Sequence, residues 1–141
     1  MTDTGARPVP EARTRAAALG YWAATLFVTS ELAVGGGWDI ARLPMVARVT
    51  EHLGYPGYFL VLLGIWKILG AAVLLAPRLP LLKEWAYAGT VFVDSGAVVS
   101  HLVKGYQLAE LGYLLPLLAA TGASWALRPP ARRSPRPRQI S

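Results

Sequence analysis

The 141-residue sequence contains no cysteine. That absence excludes a disulfide, a thiolate-held iron–sulfur cluster, a covalently attached c-type haem and a dithiol relay, so any redox role has to use a bound cofactor or a partner. Charge is scarce too: Asp, Glu, Lys and Arg make up 16% of the chain, against roughly 25% in an average soluble domain. Histidine occurs only twice, as His52 and His101. With His52 in a connection, the pair argues against bis-histidine haem ligation. The sequence also lacks an internal repeat, a glycine-rich phosphate loop and a metal-ligand signature.

What fills the chain instead is apolar: 54% of it is hydrophobic and the mean hydropathy is +0.39. A helix that crosses a hydrocarbon core of about 30 Å needs about 20 mostly apolar residues. Four stretches qualify: 17–38, 58–76, 85–103 and 108–127. They are joined by connections rich in Pro, Gly or charge at 39–57, 77–84 and 104–107. The pattern predicts an all-α polytopic membrane protein, an antiparallel four-transmembrane-helix bundle over 17–127 with disordered cytoplasmic tails at 1–16 and 128–141. Tyr21, Trp22, Trp38, Tyr58, Trp85, Tyr106 and Trp125 fall near the ends of the spans, as an interfacial aromatic belt requires. Trp66 is the exception, in mid-span.

The first stretch could be read as a secretory signal peptide, since Arg7, Arg13 and Arg15 precede it. Its apolar run is too long for that, it carries Glu31, and GGGW is a poor cleavage site, so a retained helix is the expectation. Lys and Arg are distributed ten to three between the two sides of such a bundle, which predicts cytoplasmic termini in a cell membrane. The net charge of +6 sits mostly in the tails and calls for anionic lipid rather than nucleic acid. Between the first two spans, Leu43, Val46 and Ala47 have helical spacing and Gly54-Tyr55-Pro56-Gly57 breaks the chain. A short amphipathic helix over Pro44–Leu53, lying in the interface, is the expectation, with a surface loop as the open alternative.

The stretch YFLVLLGIWKILGAAVLLA holds one charge, Lys67, near its centre. At 1.5 Å per residue, Lys67 and Asp94 both lie about 14 Å from opposite ends of adjacent spans, so in a 30 Å core their depths coincide. Pairing would offset the cost of burying either alone. Glu31 and His101 lie closer to the outer surface, Glu110 starts the fourth span, and Asp94 and His101 share a helix face. The expectation is a polar file in which Glu31, Asp94 and His101 are candidate acid/base groups and Lys67, Glu110 and Trp66 candidate ligand contacts. A purely structural reading stands beside it, in which the buried ion pair only fixes helix register.

The segment EHLGYPGYFLVLLGIWKILGAAVLLAPRLPLLKEWAYAG, followed by DSGAVVSHL, resembles the DoxX-like family of small four-helix membrane proteins. The resemblance covers about residues 21–118 and carries over the polar positions Glu31, His52, Lys67, Glu84, Asp94 and His101. It implies association with quinone-reducing or other membrane redox complexes, or an assembly role. Three functions stay open. The first is a quinone-linked redox component or enzyme acting on a lipophilic small molecule, with an oxidoreductase partner or a second copy of the chain. The second is a redox-neutral isomerase or cyclase of an isoprenoid or polyketide. The third is an assembly subunit or chaperone of another membrane protein.

Overall fold

The computed structural model describes residues 11–133. Five α-helices follow one another: α1 Glu11–Ile40, α2 Pro44–Leu53, α3 Gly57–Leu75, α4 Pro80–Lys104 and α5 Leu111–Ala126. Single 3₁₀ turns at Leu108–Glu110 and Pro130–Arg132 flank α5, and the described residues include no strand. The punctuation is local. Pro44 and Pro80 open α2 and α4, where a missing N–H costs nothing. Gly54 (φ 94°) and Gly105 (φ 60°) close the same two helices in the left-handed region, where glycine avoids the Cβ clash.

Among the described residues, three helices are long and apolar enough to cross a membrane, over Thr14–Ile40, Gly57–Leu75 and Pro80–Lys104. Large apolar side chains such as Leu26, Leu62, Phe92 and Val99 point outward on them, which suits lipid and would be costly in water. The expected fourth span at 108–127 is shorter in the structure. Gln107 turns the chain in the left-handed region, residues 108–110 form the 3₁₀ turn, and α5 itself has 16 residues. That is about 24 Å of helix, less than a 30 Å core.

The other boundaries shift as well. α1 begins at Glu11, inside the expected tail at 1–16, and α4 begins at Pro80, taking Lys83 and Glu84 out of the expected loop. A short helix forms over Pro44–Leu53 as the spacing predicts. The tail expected to be loose from residue 128 is packed through its first residues, Arg128 being buried and Pro130–Arg132 forming a turn. Residues 1–10 and 134–141, where the rest of the tail expectation falls, lie outside the described residues.

The four long helices form a ring in which α1 packs on α3 and α5, and α4 packs on α3 and α5. α1 and α3 meet most closely. A Cβ at Gly64 would lie 2.6 Å from the Gly36 carbonyl oxygen, and one at Gly36 would lie 2.9 Å from that of Gly64. Only glycine at both positions lets the two backbones touch. The half of the ring nearer the chain ends is solid, filled by Val28, Leu32, Ala71, Leu74, Tyr87 and Leu117.

That end is also tied by polar groups. The buried Lys83 donates to the carbonyls of Val73 (2.7 Å) and Leu74 (2.5 Å), satisfying two of the orphan acceptors that every helix C-terminus leaves. Arg128 pairs with Glu84 at 2.8 Å over the rings of Tyr87 and Trp125, while Trp125 donates to the other Glu84 oxygen. Arg132 lies over Trp22 and reaches Tyr21 and the Leu74 carbonyl. Thr25, Ser124 and Tyr87 join α1, α5 and α4 through hydroxyl contacts of 2.7 Å.

Candidate functional site

The other half of the ring, under α2, holds a partly open cavity of about 1010 Å³. Its walls are largely apolar, with Leu60 and Leu63 from α3, Val93 and Ala97 from α4, and Met45 and Val49 from α2 among them. A volume of this size matches a pocket for a small organic molecule.

The charged groups enter that apolar space together. Lys67 Nζ lies 3.5 Å from Glu31 Oε1 and 3.2 Å from Asp39 Oδ2, and all three side chains are largely buried. Glu31, Gly35 and Asp39 recur at four-residue spacing along one side of α1. Gly35 makes room for the ion pair. A Cβ there would lie 2.9 Å from Glu31 Oε1 and 3.3 Å from Lys67 Nζ.

This arrangement corrects the expected Lys67/Asp94 pair, since the ion-pair partners of Lys67 are Glu31 and Asp39. The physical reason is twofold: α1 lies in backbone contact with α3 at Gly36 and Gly64, beside Lys67, and helical side chains lean toward their own N-terminus. α3 and α4 run in opposite directions, so side chains at one depth lean apart: Lys67 toward the α2 end, Asp94 toward the chain ends. Asp39, on α1, leans down to meet Lys67 from above. Asp94 is buried with Oδ2 lacking a hydrogen-bond partner and lies within Coulombic range of Glu31 and Lys67, behind the cavity wall rather than on it.

His101 lines the cavity and is buried, its Nδ1 2.7 Å from the Tyr106 carbonyl oxygen. A carbonyl only accepts, so Nδ1 carries the proton and, in the neutral ring, Nε2 is left as an acceptor. Glu110 sits on the cavity rim beside Tyr113. His52 stacks on Tyr106 at 3.8 Å and Tyr55 bonds Ser100 at 2.7 Å, so α2 is held down over the site from both ends of its closing turn.

Trp66 leaves the candidate ligand contacts. It is 63% exposed and absent from the cavity wall, because one residue from Lys67 is a rotation of about 100° around the helix. Glu84 serves the opposite end of the ring, against Arg128. Asp39 is the residue that sequence reading missed, having been placed in the connection after the first span. The acid–glycine–acid spacing of Glu31, Gly35 and Asp39 is the signal that could have found it. Among the described residues no group of His, Asp and Glu is arranged to hold a metal ion.

Comparison with known proteins adds one finding. No curated protein and no solved structure matches the chain. The sequence profile of the DoxX-like family matches residues 23–124, more than half of the chain, taking in the Glu31–Asp39–Lys67 cluster, Asp94 and His101. This helical membrane protein therefore belongs to the DoxX-like family.

Proposed function

We propose that the cavity takes up a lipophilic molecule with a polar ring head, of the quinone class, and that the chain serves a membrane redox reaction as a quinone-binding component. The observation that carries this reading is the placement of the Glu31–Lys67–Asp39 cluster inside an apolar-walled space of about 1010 Å³. An ammonium has three donors, and the two carboxylates take at most two of them. The third is available for a ring carbonyl oxygen. Reduction of a quinone to its quinol needs two electrons and two protons. The electrons would come from an oxidoreductase partner, and Glu31 and His101 are the groups that could pass protons to the ring oxygens.

On this reading α5 completes a four-span bundle, its short length made up by the 3₁₀ turn before it and by local thinning of the bilayer. The termini face the cytoplasm, as the ten-to-three distribution of Lys and Arg favours. A second reading draws on the excess of acids. Glu31 and Asp39 share one ammonium, and Glu31 Oε2 is buried without a hydrogen-bond partner. Such a carboxyl could act as the acid of a redox-neutral isomerase or cyclase of an isoprenoid or polyketide.

Purification in mild detergent, solvent extraction and mass spectrometry of what remains bound tests the two. A quinone present in near-stoichiometric amount supports the first reading. An isoprenoid or polyketide without a quinone transfers the site to the second.

A further inference from the structure

We infer that the cavity opens sideways into the membrane along the seam between α1 and α5, so that its ligand is a bilayer-dissolved molecule that enters ring first; this rests on reading the cavity as a quinone site. The seam is closed in the half nearer the chain ends, where Thr25 Oγ1 lies 2.7 Å from Ser124 Oγ and Val28 and Leu117 are fully buried. The rings of Phe27 and Tyr113 then meet edge-on across it at 6.5 Å. Beyond that contact the packing is lost. Val34, Trp38 and Tyr113 all line the cavity, yet they are 51%, 43% and 44% exposed. Phe92, on the α4 side of α5, continues the same open rim at 75%.

Two other approaches are restricted. The α1/α3 wall is sealed by backbone contact at Gly36 and Gly64. The roof is fastened to α4 and the turn after it by the Tyr55–Ser100 bond and the His52–Tyr106 stack. The gap follows from the shortness of α5, whose 16 residues begin only at Leu111. Its edges are mainly aliphatic and aromatic, with Glu110 on the rim at the start of α5; this suits entry from lipid, and Ser30 and Glu31 lead from it to Lys67. A ring head can then reach the ammonium while its hydrocarbon tail stays in the bilayer.

The absence of cysteine makes the test clean. Val34→Cys places a single thiol on the seam, and Arg48→Cys places one on the exposed side of α2, each to be labelled with a bulky fluorescein maleimide in lipid nanodiscs. Decylubiquinone is the probe, and its association rate is read for labelled and unlabelled forms, with the melting temperature recorded for each. The label at position 34 should slow association by roughly tenfold or more, within the range by which on-rates vary in one system, and the label at 48 should leave it unchanged. Unchanged association with the label at 34, or equal slowing from the label at 48, would overturn the lateral seam. If unlabelled protein fails to bind decylubiquinone at all, the quinone reading itself falls, and this inference with it.

Discussion

Lys67 decides more about this molecule than any other side chain. A lysine in mid-span is visible in the sequence as an anomaly, and that it needs carboxylate partners follows from the cost of burying a charge. Which carboxylates was not legible, because depth arithmetic locates Cα atoms while ion pairs form between side-chain ends several ångströms away. The opposite lean of side chains on antiparallel helices separates Lys67 from Asp94, while the close approach of α1 to α3 at Gly36 and Gly64 brings it to Glu31 and Asp39. A double-mutant cycle measures this directly. Lys67→Met should strand two buried carboxylates and destabilise by about 3–5 kcal/mol, with a coupling of about 0.5–3 kcal/mol to Asp39→Asn. The cycle of Lys67→Met with Asp94→Asn should show weaker coupling than that with Asp39→Asn. Unfolding in mixed micelles gives both numbers, and stronger coupling to Asp94 would restore the pairing that sequence depth suggested.

At the scale of the helices, the sequence made the rough position of three spans legible, because long apolar runs and Pro/Gly breaks report directly on burial and chain direction, while the expected fourth is a shorter helix. Ends were less legible. Lys83 and Glu84 look like loop residues by charge, yet Lys83 caps α3 from inside α4 and Glu84 holds Arg128. Charge pattern alone does not reveal that a helix C-terminus nearby is short of donors. Lys83→Met should therefore destabilise by about 1–3 kcal/mol for each carbonyl left without its donor, read as a lowered melting temperature in detergent. Glycines at the α1/α3 contact separate packing from chemistry. Gly64→Ala would drive a Cβ into backbone atoms of α1 and should cost about 1–3 kcal/mol of stability. Gly35→Ala meets only the ends of the Glu31 and Lys67 side chains, so its melting temperature should stay near that of the unsubstituted protein while the ion pair is displaced. Equal losses of stability in the two variants would mean that α1 and α3 do not cross at Gly36 and Gly64.

The whole molecule is a ring of helices with two unlike halves. One is packed solid and cross-tied by Lys83, Arg128 and Arg132, and the other is hollow, roofed by α2 and charged at its centre. The family was legible in the sequence through its motifs, whereas the cavity was not, since a void depends on how far helices stand apart and on α5 being short. The central claim is that the hollow half binds a quinone ring at the Glu31–Lys67–Asp39 cluster. Equilibrium binding of decylubiquinone to nanodisc-embedded protein tests it most directly, with Gly35→Ala and Glu31→Gln compared with the unsubstituted chain and a melting temperature taken for each. Saturable one-to-one binding should be seen, weakened by roughly tenfold or more in both variants, about 1.4 kcal/mol or above, with melting temperatures little changed. Binding that never saturates, or that both folded variants retain in full, would contradict it.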